Sequence, residues 1–468
     1  MGSGPEVQIS SLAYSSNSVA PGALFFCVPG FKTDGHDFAP DAVARGAVAL
    51  VCERPLGLDV PEVIVPDARA AMGPAAARFY GDPTATLKVV GVTGTNGKTT
   101  TAFLTRALLE AGGIGAGLLG TVTSIVGGRE EPVVRTTPEA IDLQRIFRRM
   151  LDAGDEACVM EVSSHALALG RADSIRFACR VFTNLTQDHL DFHPTMEDYF
   201  AAKRRLFESP GAPSVVNVDD EYGRRLLVEA DQEAITYSLL RDAVYRASDI
   251  EFDTARSRFT CKTPDGAVHI EMPLPGLFNV SNALAAIAAA RTLGVPLDTI
   301  RTALETAHRV PGRFEPVDEG QDFAVLVDYA HTPDSLDNVL RAARKITRGR
   351  LVVVFGAGGD RDRAKRPLMG QVASALADRV IVTSDNPRSE DPDSIVDQIL
   401  AGAGPGAERE VDRRRAIAMA IEAAREGDVV VIAGKGHEQG QEFEDGRKEP
   451  FDDAAVARQA LRTVRGAV

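Results

Sequence analysis

The sequence predicts an α/β protein of three domains. Short apolar runs alternate with helical stretches, a glycine-rich turn bearing Lys-Thr follows the run at 87–90, and polar Gly/Pro stretches interrupt the pattern at 80–84 and 309–313. Alternation of strand and helix buries both faces of a parallel sheet, and Gly and Pro punctuate structure. The length of 468 residues agrees with about three domains of roughly 150 residues each. The expected divisions are a mixed α/β N-terminal domain at 1–86, a central P-loop parallel-sheet domain at 87–312 and a C-terminal Rossmann-like domain at 313–468.

In the first domain, runs 24–28 and 47–51 read as strands and 38–45 as a helix. In the second, strand 87–90 leads into Gly94-Thr95-Asn96-Gly97-Lys98-Thr99-Thr100 and a helix over 100–111. Glycines let backbone N–H groups close around phosphate oxygens, and the helix N-terminus adds partial positive charge. Lys98 can reach β- and γ-phosphates and Thr99 can place its hydroxyl on Mg²⁺. The common P-loop spacing would require glycine at 92, where valine stands, so this is a narrower variant. Runs 157–162 and 180–185 read as further strands, and the Ala-rich 279–294 as a helix against the sheet. In the third domain, runs 324–327, 351–355, 379–382 and 429–432, with helices at 334–346 and 413–424, predict a second doubly wound sheet. Ligands sit beyond the carboxyl ends of such strands, which singles out Asp328, Gly356, Asp385 and Gly434.

Composition narrows the function. A net charge of −14 supplies no broad cationic field, which argues against nucleic acid or an anionic membrane as partner. Cys27, Cys52, Cys158, Cys179 and Cys261 show no Cys-x-x-Cys spacing and read as buried thiols in a reducing compartment. No stretch approaches roughly 18 uninterrupted apolar residues, and the first six residues lack signal-peptide features. A cytoplasmic protein is expected.

Five blocks occur in order: residues 94–100, Glu161-Val162-Ser163-Ser164-His165, residues 184–189, Asp328-Tyr329-Ala330-His331-Thr332-Pro333 and Gly434-Lys435-Gly436-His437-Glu438. Together they resemble the Mur ligase family, ATP-dependent amide-forming enzymes of peptidoglycan precursor synthesis. Asp385-Asn386-Pro387-Arg388 and the Gly-Lys-Gly-His-Glu block resemble the member adding the third peptide residue. The resemblance implies ATP and Mg²⁺ as cofactors, UDP-N-acetylmuramoyl-dipeptide and meso-diaminopimelate as substrates, and a monomer.

It also implies residue roles. Gly94 to Thr100 in the loop, with Asn279, Asn282, Arg313 and Asp328, match nucleotide-contacting positions. Thr99, Glu161, His189 and Lys203 match the metal-linked set, Lys203 as a carbamate, and Lys98, Lys203, Glu161 and His189 are the catalytic candidates. Arg388, with Arg361, Asp385, Asn386, Pro387, Gly434 and Glu438, matches the pocket for the diamino acid; a guanidinium fork there would grip its second carboxylate, and Glu438 its ammonium. Tyr14, Ser16, Thr136, Thr137, Ser163 and Arg171 match the nucleotide-sugar end, and Phe31, Lys32 and Thr33 align with a binding loop by position. This chain departs from the family at Ser15-Ser16-Asn17, where Asp-Ser-Arg is usual, at Arg135 for asparagine and at Leu169 for glutamine.

Three other readings stay open at this level. A folylpolyglutamate-type ligase shares the last two domains, but not the first domain or the Asp-Asn-Pro-Arg block. A P-loop motor or switch would need no pocket in 315–468. A non-catalytic descendant would be expected to have lost Lys98, Glu161 or Lys203, and all three are present.

Overall fold

The computed structural model describes residues 6–30, 33–208, 211–229 and 234–466. They form two compact units, one of residues up to 91 together with 114–178, the other of 92–113 together with 179 onward. Phe31 and Lys32, and the first five residues, lie outside the described residues.

In the first unit, Ser11–Ala13, Ala23–Phe26, Ala47–Cys52 and Glu62–Ile64 pair in that order as a parallel sheet. Successive side chains point to opposite faces of a strand. Phe25 and Leu50 therefore join one core with Ala39 and Ala42, while Phe26 and Val51 join another with Met72 and Ala76 of helix Ala68–Phe79. The same unit carries strands Ala157–Glu161 and Ala116–Leu119, which pair in parallel, and Ser124–Val126 and Arg129–Glu131, which continue antiparallel.

The second unit takes up strand Phe177–Phe182 from Cys179 onward and continues into parallel strands Ser214–Asn217, Ala234–Ser238 and Tyr245–Phe252, followed by the antiparallel Ser257–Thr263 and Gly266–Met272. The strand expected at 180–185 thus ends at Phe182. Thr183 and Asn184 leave the sheet because both side chains donate to the Asn96 carbonyl. The Ala-rich helix is Leu277–Thr292, buried over most of its length. The C-terminal sheet orders Glu315–Pro316, Ala324–Asp328, Val429–Ala433, Leu351–Phe355, Arg379–Val382 and Glu408–Arg409, parallel except at its first edge. Cores on both faces explain why its central strands are continuous apolar runs.

Candidate active site

The glycine-rich turn lies in the second unit, between Thr93 and helix Lys98–Ala111. Gly94 and Gly97 have φ of 150° and 84°. A Cβ at either would collide with Thr183 Oγ1 or Asn282 Oδ1, so the turn closes only with glycine. Asn96 N donates to Asn184 Oδ1 at 2.9 Å, and Thr183 Oγ1 donates to the Asn96 carbonyl at 2.6 Å. Lys98 Nζ folds onto the carbonyls of Gly94 and Thr95, both at 2.9 Å.

A second lysine shares that first carbonyl. Lys203 Nζ, on helix Met196–Arg204, donates to Gly94 O at 2.8 Å and lies 4.8 Å from the Tyr199 ring centroid. Lys203 is 1% exposed. Burial, then the charge of Lys98, push its pKa well below the usual lysine range, against the pull of Asp188. The surroundings therefore disfavour its protonated form.

Asp188, which the sequence reading did not single out, organises the residues around it. His189 Nε2 lies 3.5 Å and His331 Nε2 3.7 Å from Oδ2, and Lys365 Nζ lies 3.9 Å from Oδ1. Burial opposes its charge, but His331, His189 and Lys365 outweigh burial and hold the carboxyl well below the usual carboxylate range. His189 has a left-handed φ of 57°. Among the described residues, no group of three or more His, Cys, Asp or Glu is arranged to hold a metal.

The C-terminal segment reaches the turn directly. Arg313 Nη2 donates to Thr99 Oγ1 at 3.0 Å, and its guanidinium lies over the Tyr329 ring at 4.6 Å. Asp328 accepts from Phe314 N and Ala330 N, both at 2.7 Å, and so fixes the turn carrying Arg313; burial raises its pKa. Asn282 Oδ1 accepts from Thr101 Oγ1 at 3.4 Å, while Asn279 Nδ2 donates to Pro275 O at 2.8 Å. Asp334, also missed, accepts from Asn96 Nδ2 at 2.7 Å. Its place in the first turn after Thr332-Pro333 was the available signal.

A second constellation lies at the carboxyl ends of the C-terminal strands. Gly434, with φ of 116°, leaves room that a Cβ would take from Asp385 Oδ2. Fully buried Lys435 donates to Asn386 Oδ1 at 2.8 Å and Glu438 Oε2 at 2.9 Å, and Asn386 Nδ2 donates to Glu438 Oε2 at 2.8 Å. Burial works against the Asp385 charge, yet Lys435 and Arg413 keep its pKa below the usual value. After Pro387, Arg388 donates through Nε to Glu442 Oε2 at 3.0 Å and through Nη1 to Gly359 O at 2.7 Å. Arg361, on the neighbouring loop, gives Nη1 to Asp360 O at 2.9 Å.

The first unit gathers most of the remaining candidates. Thr137 Oγ1 donates to the Glu161 carbonyl at 2.9 Å and accepts from Ser163 N at 3.0 Å, and Arg171 Nη1 donates to Thr137 O at 3.2 Å. The buried Glu161 carboxylate accepts from Thr121 N at 2.8 Å and Thr121 Oγ1 at 3.1 Å, and Thr121 Oγ1 also meets Thr136 Oγ1 at 3.1 Å. Tyr14 OH donates to Asp142 Oδ2 at 2.6 Å, buried Ser16 starts a short turn whose Asn17 and Ser18 are exposed, and Thr33 O accepts from Gly30 N at 2.9 Å.

Three family models match in chain order: "Mur ligase family, catalytic domain" over 8–80, "Mur ligase middle domain" over 92–290 and "Mur ligase, glutamate ligase domain" over 312–436. The UDP-N-acetylmuramoyl-L-alanyl-D-glutamate–2,6-diaminopimelate ligase of Geobacillus thermodenitrificans is 50% identical, over 99% of this chain and 96% of its own. A solved structure of a ligase bearing that same name superposes with a TM-score of 0.70 at 34% identity, covering 98% of this chain and 95% of the other. A MurF ligase of Thermotoga maritima, crystallised with ADP, shares the fold at a TM-score of 0.67 and 19% identity, over 97% and 96% of the two chains.

Proposed function

Because the chain belongs to the Mur ligase family, we propose that it is an ATP-dependent ligase joining a carboxylate of UDP-N-acetylmuramoyl-L-alanyl-D-glutamate to an amine of meso-diaminopimelate. The observation that carries the reading is the convergence of Lys98, Lys203 and Arg313 on the 94–99 turn. Two cationic side chains at one glycine-rich turn, Lys98 and Arg313, suit a transferring phosphoryl group, and the buried Lys203 amine stands beside them.

A free carboxylate is a poor acyl donor at neutral pH, so it first takes the γ-phosphoryl group of ATP. The amine then attacks the acyl phosphate, and phosphate leaves. The chain forms no covalent bond to substrate, so its part is positioning and charge neutralisation. Lys98 holds phosphate oxygens. Arg313 steadies Thr99, and Asn96, Asn279, Asn282 and Asp328 frame the nucleotide.

Lys203 is proposed to add CO₂: its neutral Nζ attacks the carbon, an N–C bond forms, a proton departs and the side chain becomes an anion. Burial and the neighbouring Lys98, both of which favour the deprotonated amine, support this. The Thr99 hydroxyl and the carbamate offer the hard oxygen donors that Mg²⁺ prefers, and Glu161 and His189 keep the metal-linked roles the resemblance implies. When bound, the ion supplies charge neutralisation at the phosphates.

Arg388 is proposed to grip the far carboxylate of the diamino acid and Glu438 its ammonium, supported by the name of the 50% identical relative and by the Asp385-Asn386-Pro387-Arg388 block. Domain boundaries at 86/87 and 312/313 are part of the reading, supported by family matches that end at 80 and 290 and resume at 92 and 312. A monomeric, cytoplasmic enzyme is part of the reading; five free, buried thiols support the compartment.

The test is purified protein with ATP, Mg²⁺, the UDP-dipeptide and each of meso-diaminopimelate, lysine and ornithine. Phosphate release with meso-diaminopimelate alone is expected. Release with lysine or ornithine but not meso-diaminopimelate overturns the specificity.

A further inference from the structure

Three guanidinium groups converge on one carboxylate in the first unit. Glu139, 5% exposed, accepts from Arg135 Nη1 at 2.8 Å and Arg69 Nη1 at 3.2 Å, and pairs with Arg171 Nη2 at 2.9 Å. A one-to-one pair would cancel its charge; here three cations share one anion, and a positive surplus remains. The neighbouring Asp142 does not remove it, since Tyr14 and Arg145 already engage that carboxylate. The buried Nε of Arg171 has no hydrogen-bond partner among the described residues. Burial disfavours the Arg171 charge, and Arg135 and Arg69 add to that against Glu139. One further anion would relieve all three guanidiniums. Arg135 stands where the family usually has asparagine, so this chain adds a cation to the set.

We infer that Arg135 and Arg69 are positioning residues: by sharing Glu139, they leave Arg171 its charge for an anionic group of the nucleotide-sugar peptide. The inference rests on the ligase reading above. The anion is a peptide carboxylate or the diphosphate, chemically alike to a guanidinium fork. Glu139 fixes the geometry, and the two outer arginines draw off its charge.

The experiment measures KM for the UDP-dipeptide and for ATP in the full chain and in Arg135→Asn, Arg135→Lys and Arg69→Gln, at low and moderate salt. Arg135→Asn and Arg69→Gln are expected to raise the UDP-dipeptide KM about threefold each, with the loss in KM rather than kcat and the ATP KM steady. Arg135→Lys is expected to stay near the parent, and added salt to narrow the gap. Inhibition by UDP, which has a diphosphate and no carboxylate, identifies the anion. If it weakens in parallel in Arg135→Asn, the diphosphate is bound there; if it does not change, the peptide carboxylate is. An unchanged UDP-dipeptide KM in both charge-removing variants, a parallel rise in the ATP KM, or a lysine variant as weak as the asparagine one overturns the inference. A parent chain that releases no phosphate with all substrates present would instead overturn the ligase reading.

Discussion

Lys203 shows how a single side chain can be read twice. In sequence it is a helix lysine within a motif; in the structure it is a buried amine sharing the Gly94 carbonyl with Lys98. Its pKa is lowered, so from that lowered value up to the unfolded value of roughly 10.4 the unfolded chain binds the extra proton. Stability contributed by this site therefore rises with pH across that window and is lost as pH falls through it. In CO₂-free buffer, the urea midpoint is expected to climb with pH above neutrality, and Lys203→Met to flatten that climb; equal slopes would contradict it. Catalysis gives a second check. Lys203→Ala is expected to be nearly inactive, with partial recovery on adding a short carboxylic acid, measured as phosphate release; full activity in the alanine variant rules out the carbamate. Lys98, Thr99 and Lys203 were legible because they sit inside local motifs. Asp334 and Arg69 were not, because their partners are remote: Asp334 meets Asn96 across 238 positions and Arg69 meets Glu139 across 70. Asp188 and Glu139 each have one near partner, but His331 and Lys365, or Arg69 and Arg171, complete their clusters from afar.

Elements were legible where burial is symmetrical. The apolar runs at 324–327, 351–355, 379–382 and 429–432 became Ala324–Asp328, Leu351–Phe355, Arg379–Val382 and Val429–Ala433, since both faces of that sheet are covered. The strands Tyr245–Phe252, Ser257–Thr263 and Gly266–Met272 gave no such apolar run, because they are not buried on both faces: Ser257–Thr263 alternates buried residues with the more exposed Arg258, Thr260 and Lys262. Between the C-terminal elements, fully buried Arg366 joins Glu390 at 2.8 and 2.9 Å, and Glu390 also accepts from Asp360 N at 2.7 Å. This ties the 358–362 loop to the 385–390 loop, and so holds Gly359 O under Arg388. Chiefly through Arg366, the Glu390 pKa falls to about 2. The contribution is present above the ordinary carboxylate range and is lost as pH falls toward about 2. Glu390→Gln is expected to show a flatter fall in melting temperature between about pH 5 and pH 2 and a raised KM for meso-diaminopimelate. A variant matching the parent in both would remove Glu390 from this role.

Across the whole molecule, the candidate ligand groups are partitioned between the two units. The 94–100 turn, the 184–189 segment, Arg313 and Asp334 belong to the second, and Tyr14, Ser16, Thr136, Thr137, Ser163 and Arg171 to the first. Binding slows local opening of the backbone that a ligand contacts, so amide exchange should report the partition. A non-hydrolysable ATP analogue is expected to slow exchange in 94–101, 184–189, 312–314 and 328–335, because Arg313 and Asp334 are already bonded to the nucleotide turn. The UDP-dipeptide alone is expected to slow 12–17, 135–139 and 163–171 and to leave the nucleotide turn at its free rate. Protection of the first set by the UDP-dipeptide alone, or of the second by the nucleotide alone, would show that these assignments are exchanged and that Arg171 and Arg313 serve the opposite ligands.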